Sequence, residues 1–133
     1  MGVTANTKST KPLSEQDAQK VATYNALADE LDSTLAGILL LSVAGASNVT
    51  LTRTQGLNKL FKFTGVLTGN IIVFFPAALG CARQFTIWNA TTGAFTLTIK
   101  TTTAGSAGVA VTTAKKVICA HDGTDVFKVT AEV

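Results

Sequence analysis

Residues 83–101, RQFTIWNATTGAFTLTIKT, carry the clearest structural signal in the chain. Apolar and polar residues alternate on either side of Thr91-Thr92-Gly93, a pattern typical of β-strands separated by a tight turn. The same period of two begins at Leu39 and continues through the later sequence, interrupted by turns rich in Gly, Asn, Asp and Thr. The sequence therefore predicts a succession of short strands.

These strands are spaced at roughly 8 to 12 residues, which is typical of a sandwich or a barrel. NIIVFFP, residues 70–76, is continuously apolar and is predicted to be a central strand. We expect a mainly β fold, a compact antiparallel β sandwich or barrel of about eight or nine strands, preceded by one N-terminal α-helix. The other predicted strand segments are LLLSVAG, NVTLTR, LFKF, RQFTIWNA, AFTLTIKT, GVAVTT, KKVICAHD and DVFKVTAEV.

The segment before the strands has a helical pattern. Ser14 is suited to cap the helix, and acidic residues follow it in the first turn, where they favour the exposed amides. Gly37 is expected near the helix end. The predicted organisation is a flexible arm over 1–13, an oligomerising helix over 14–37 and an all-β module over 38–133.

Apolar residues in this helix recur at alternating spacings of three and four, as in a coiled-coil seam. So short a helix is marginal alone, so the seam must pack either on its own β module or on copies of itself. We favour self-association, since the strands are able to close their own core. The predicted self-association residues are Val21, Tyr24, Ala28, Leu31, Leu35 and Ile38.

The composition indicates a folded protein with a divided charge. Hydrophobic residues make up 47% and charged residues 14%, which is ample for a packed core. The net charge is +3, but the helix region is acidic, and residues 33–121 contain no Asp or Glu. Such asymmetry fits two interpretations equally well, surfaces meant for a partner of opposite sign and a solvated face.

The β module contains few residues of the types that catalyse reactions. The β module has only three carboxylates, near its end, and His121 is the single histidine, which excludes multi-histidine metal sites. Cys119 and His121 share one face of a strand and could form a nucleophilic pair with Asp122 as the orienting group. We expect instead that Cys119 is core and that His121 caps the strand. The prediction is no enzyme, no metal and no cofactor.

The two cysteines, Cys81 and Cys119, are expected to be buried thiols, with a bridge between them as the alternative. The polar N-terminus does not look like a secretory signal, and the most apolar stretch, residues 35–46, is too short to span a bilayer. We expect a soluble protein.

One aromatic residue and several lysines are candidates for surface contacts. Phe63, Phe74, Phe85 and Phe95 are interpreted as core, and no nucleic-acid partner is expected because aromatic platforms do not alternate with arginine. Trp88 is the one aromatic residue that we expect to find exposed to solvent. The possible surface-contact residues are Lys8, Lys11, Trp88, Lys115 and Lys116.

Four segments resemble a β module of tailed-bacteriophage virion proteins: LSVAGASNVTLT, FTGVLTGNIIVFFP, RQFTIWNATTGAFTLTIKT and GVAVTTAKKVICAHDGTDV. The resemblance covers residues 40–128 and is most specific in NATTGAFTLT, residues 89–98. One departure is Thr112-Thr113-Ala114, which stands where the pattern has a Pro/Gly turn. The resemblance implies a particle component, commonly trimeric, assembled in the bacterial cytoplasm.

Three functions follow as hypotheses. A helix with one module and no further receptor-binding region favours a capsid decoration (cement) protein, a homo-oligomer whose basic body meets an acidic capsid surface. A short tail-fibre or neck adaptor is the alternative. A carbohydrate- or receptor-binding module, with Trp88 as a stacking platform, is the third. The expected partners are the chain itself and phage capsid or tail proteins, without a membrane.

Overall fold

The computed structural model describes residues 15–76 and 82–133. Helix α1 and nine strands account for most of these residues, together with a one-turn helix, α2. The elements are α1 Glu15–Ala36, β1 Ile38–Ser42, β2 Val49–Thr50, α2 Arg53–Gly56, β3 Leu60–Val66, β4 Ile71–Phe75, β5 Arg83–Thr92, β6 Leu97–Thr101, β7 Val109–Val111, β8 Lys116–His121 and β9 Val126–Lys128.

The strands form two sheets over one core. The larger sheet has the order β1-β3-β5-β8-β9 and the smaller sheet the order β2-β4-β6-β7. The sheets do not close into a barrel. This confirms the prediction of a mainly β fold with an N-terminal helix. Of the two predicted architectures, the barrel is excluded and the sandwich is kept.

The predicted antiparallel arrangement is wrong for the first six strands. β1 pairs with β3, β3 with β5, β2 with β4 and β4 with β6, all in parallel. The chain crosses from one sheet to the other after each of β1 to β5, and each strand runs in the same direction as the previous strand of its own sheet. A period of two reveals which face of a strand is buried but not the direction of its neighbour, so the sequence did not distinguish these arrangements.

Strands β1 to β6 thus form three stacked coils, each with one strand in either sheet. Asn48 and Asn70 hold equivalent places in successive coils, where their side-chain oxygens accept hydrogen bonds from the Ile72 and Thr96 N–H groups at 2.9 Å. A parallel bridge joins Gly45 to Leu67 between the same turns. The last coil pairs with β7 and β8, which run antiparallel to it.

Aromatic rings fill the core between the sheets. The rings of Phe61 and Phe75 meet edge to face with centroids 4.8 Å apart, and those of Phe75 and Phe85 stack at 5.0 Å. Phe63 is also fully buried. The prediction that Phe74 is core is wrong, because it alternates with buried neighbours and is only half-buried. Phe95 is 40% exposed and is likewise not core.

Helix α1 ends at Ala36, close to the predicted end. The Gly37 carbonyl accepts hydrogen bonds from the N–H groups of Lys59 and Leu60, which draws the chain into the larger sheet. Ile38, predicted as the last seam residue, is therefore the first residue of β1 and not part of the helix. The chain divides into two compact units between Leu31 and Asp32, within α1.

The turn that becomes α2 was predicted only as the end of a strand segment. Thr52 caps it: its hydroxyl accepts from the Gln55 N–H at 3.2 Å, and the Gln55 side chain accepts from the Thr52 N–H at 2.9 Å. This reciprocal pair is a capping box, which the Thr-x-x-Gln spacing signals in the sequence.

Candidate functional site

The Cys119 and His121 side chains both lie in the core, on the buried face of β8. Burial raises the pKa of the Cys119 thiol to about 11, so this thiol is protonated at neutral pH and is a poor nucleophile. Burial also lowers the pKa of His121, against the opposing charge of Asp122. His121 accepts a hydrogen bond at Nδ1 from the Gly123 N–H at 2.9 Å, so the imidazole orders the turn after the strand.

Asp122 serves the same turn. Its Oδ1 accepts hydrogen bonds from the N–H groups of Thr124 and Asp125, each at 2.8 Å. These bonds to the backbone hold the pKa of Asp122 below its ordinary value. The carboxylate is thus engaged by backbone amides and does not orient His121.

The remaining turn contacts close one end of the sandwich. Asp125 accepts a hydrogen bond from the Ser106 hydroxyl, which lowers the pKa of that carboxyl. The Thr101 hydroxyl donates to the Thr124 carbonyl at 2.7 Å. Both contacts join the β8–β9 turn to the smaller sheet, so the polar residues here have a structural task.

Within residues 15–76 and 82–133, no three or more His, Cys, Asp or Glu side chains come together as a metal site would require. In that same part of the chain, no helix combines the length and apolar character needed to span a membrane.

Asn89 lies at the most specific point of the sequence resemblance and connects the two sheets. It is fully buried in β5, and its side-chain N–H donates to the Val111 carbonyl of β7 at 2.7 Å. Its side-chain oxygen accepts from the Thr91 N–H and from the Thr91 hydroxyl. The Asn-x-Thr part of this motif is therefore a buried polar tie, which sequence reasoning had not assigned a role.

The turn that departs from the resemblance also contacts Asn89. The Ala114 N–H donates to the Asn89 carbonyl at 2.8 Å, and Ala114 has a φ of 64°. This left-handed backbone is the conformation that glycine adopts without steric cost. The position thus keeps the geometry of a glycine turn while carrying an alanine.

The outer face of the larger sheet is defined here as the side formed by the strand residues that alternate with the core residues. Trp88, in β5, lies on this outer face. It is half-buried. The ammonium groups of Lys62 and Lys116, from the strands on either side, lie 4.0 and 4.5 Å from its ring centroid. A sugar could stack on this ring only by displacing a lysine, which weighs against the stacking-platform hypothesis.

A shallow, mostly apolar depression of about 380 Å³ lies beside Lys116 on this outer face. Ile118 and Val133 line it together with Thr86 and Thr130. No Asp, Glu or His side chain lines the depression, so its side chains offer contact area to a partner and not reactive groups.

The predicted self-association residues are all solvent-exposed in the single chain. Tyr24 is 71% exposed, and Leu35 and Ile38 are each 67% exposed. Leu27, 57% exposed, lies beside the seam and was not among the predicted residues, because the strict heptad spacing passes over it. Of these predicted residues, Val21, Tyr24, Ala28, Leu31 and Leu35 are exposed on α1, and Ile38 is exposed on β1.

The predicted surface lysines are divided between two regions. Lys115 and Lys116 are exposed at the start of β8. Lys8 and Lys11, together with the predicted arm, the helix cap Ser14 and Cys81, lie outside the described residues.

Comparison of the chain with family models, with curated proteins and with solved structures gave no match. What the chain can do must therefore be inferred from its own surfaces, of which the exposed helix stripe and the outer sheet face are the most distinctive.

Proposed function

We propose that this protein is a bacteriophage virion structural protein that acts as a homo-oligomer, with capsid decoration as its role. The observation that carries the proposal is the exposed apolar stripe of α1. Large apolar side chains at helical spacing cost free energy in water, and a stripe of this kind marks an association surface. The resemblance of residues 40–128 to virion β modules supports the same class of protein.

The β module suits a docking component. Its three coils are joined by backbone ladders and by the Asn48 and Asn70 hydrogen bonds, so its surface is held in a fixed shape. The strands carry lysines and arginine and no carboxylate, which favours an acidic partner surface such as a capsid shell.

A double substitution in the stripe tests the oligomer. Leu31→Asp with Leu35→Asp places charges in the seam, and we expect monomers in sedimentation velocity with a retained strand-rich circular dichroism spectrum. Ala22→Asp with Ala26→Asp adds the same charge to exposed positions outside the seam and should leave the oligomer intact. A fully assembled Leu31/Leu35 variant would show that the stripe is not the association surface.

The decoration role has its own test. Purified protein is added to phage heads stripped of their decoration, and we expect bound protein and recovered resistance to heat or chelation. Oligomers that do not bind heads would contradict the decoration role without touching self-association.

One observation favours the tail-fibre or neck adaptor instead. Stacked coils of parallel strands extend in one direction, as in solenoids that form elongated shafts. Labelling the protein in intact particles and imaging the label separates the two roles: a signal on the head supports decoration, and one on the tail supports the adaptor.

A further inference from the structure

The outer face of the larger sheet carries apolar and positively charged side chains in two adjacent rows. One row crosses four strands in register: Leu40, Lys62, Trp88 and Lys116. Val133 continues the row, since its backbone exchanges hydrogen bonds with Lys116. The next row carries Ile38, Leu60, Thr86 and Ile118.

This face leaves large side chains in water. Leu40 is 65% exposed and Phe127 is 48% exposed, and Ile118 and Val133 are exposed as well. A sheet with one face in solvent normally carries polar residues there. An extended apolar face of this kind indicates that another surface covers it.

The charges on the face are of one sign. The five strands of the sheet contain no Asp or Glu, while Lys62 and Lys116 lie at its centre. The nearest acidic side chain in sequence to Val133, that of Glu132, accepts hydrogen bonds from Thr112 of the neighbouring turn and lies 3.8 Å from the Lys128 ammonium group. A partner with both apolar and acidic groups would complement this face.

Helix α1 has those properties. Its sequence contains five acidic residues against Lys20, and Asp29 and Asp32 are exposed beside Leu31 and Leu35. Leu27 widens the stripe beyond the two positions per heptad of a coiled coil, which suits packing on a flat surface better than a narrow helix–helix seam. Its 22 residues reach about 33 Å, more than the roughly 20 Å across five strands.

We propose that α1 of a second copy of this chain covers the outer face of the larger sheet, with Asp29 and Asp32 near Lys62 and Lys116. Helix on sheet is a standard way to bury an apolar sheet face. The inference deepens the proposed function, since it rests on self-association and names the surface that receives the stripe.

Charge reversal on the two surfaces tests the proposal. Lys62→Glu with Lys116→Glu should weaken self-association at least tenfold in sedimentation velocity at low salt, and Asp29→Lys with Asp32→Lys should do the same. When the two variant proteins are mixed, each reversed surface meets a complementary one, so we expect association to return in the mixture. Thermal denaturation of each variant checks that the fold is kept.

Lys100→Glu is the matched control for Lys116→Glu, because Lys100 lies on the smaller sheet. It should leave association unchanged. The proposal is overturned if the Lys62/Lys116 variant associates like the wild type, if the mixture stays dissociated, or if the wild type is monomeric. Failure of intact oligomers to bind phage heads would count against the decoration role alone.

Discussion

At the scale of single residues, the buried Asn89 shows how a motif seen in sequence acquires a physical meaning. Its side chain satisfies the Val111 carbonyl and two groups of Thr91, and it connects the two sheets within their shared core. A buried polar group with all its partners stabilises one arrangement of the sheets over others.

Replacement of Asn89 by Ala should therefore destabilise the protein by about 2–4 kcal/mol, because buried partners are left unpaired and a cavity opens. Chemical denaturation measures the change in the free energy of unfolding. Asn48→Ala removes one hydrogen bond from an exposed turn and should cost about 1 kcal/mol. Equal losses in the two variants would contradict the role assigned to Asn89.

A substitution at Ala114 is expected to stabilise the protein. Its φ of 64° is unfavourable for an alanine, so Ala114→Gly should raise the free energy of unfolding by about 0.5–1 kcal/mol. Ala107→Gly, at a neighbouring turn without a positive φ, should destabilise or leave stability unchanged. The melting temperatures of the two variants and the wild type test this prediction. A melting temperature of Ala114→Gly below that of the wild type would refute the strain argument.

At the scale of elements, the stacking of turns in successive coils restricts which residues fit in those turns. Gly93 has a φ of 106°, and a Cβ at this position would lie 2.6 Å from the Leu67 carbonyl oxygen of the coil beneath it. Gly105 also has a positive φ, 83°, but a Cβ there would meet nothing within 4 Å. A comparison of alanine substitutions at these two glycines therefore separates two destabilising effects: the unfavourable backbone conformation, which both share, and the steric clash between coils, which only Gly93 has.

Gly105→Ala should cost about 1 kcal/mol, from the backbone alone. Gly93→Ala should cost about 1–3 kcal/mol more, since the backbone of one coil must move away from the other. Urea denaturation of both variants gives the comparison. Similar costs would mean that the turns of successive coils are not held as close together as described.

The strands themselves were largely predictable from the sequence, and their stacking was not. Alternation correctly located β3, β5 and β8, and the run in residues 70–76 correctly indicated β4, an interior strand of the smaller sheet. The Asn48 and Asn70 contacts depend on which turns lie above one another. That information is in the crossover path of the chain and not in any local pattern.

At the scale of the whole molecule, the candidate site was predictable in part. The heptad spacing identified exposed helix residues because helix periodicity is a local property. The outer face of the larger sheet was missed, since its rows combine residues far apart in sequence, such as Leu40 and Lys116, and they become neighbours only through the sheet order. Of that face, the sequence had singled out Trp88 and Lys116 as surface contacts, and Ile38 as a helix residue instead of a strand residue.

The pH dependence of stability also belongs to the whole molecule. Burial holds the pKa of His121 below 6.5, so the unfolded chain takes up a proton first as the pH falls. The contribution of His121 is therefore fully present above pH 6.5 and is lost as the pH falls toward its lowered folded-state pKa. Asp122, Asp125 and Glu132, whose pKa values are also lowered, add a second loss in more acidic solution.

We expect the free energy of unfolding to fall between pH 7 and pH 5 in the wild type. In His121→Gln, which does not titrate, the slope over this interval should be shallower, whatever the stability of the variant at pH 7. Denaturation curves at several pH values give both slopes. Parallel slopes would show that another group controls the acid response.

The antiparallel strands β7 and β8 follow the coils along the chain, and they cover the edges of β6 and β5. During synthesis, the three coils leave the ribosome before anything can pair with those edges. A nascent chain paused after Thr101 would present open strand edges to its neighbours on the same polysome, and chaperone protection would matter most in that interval.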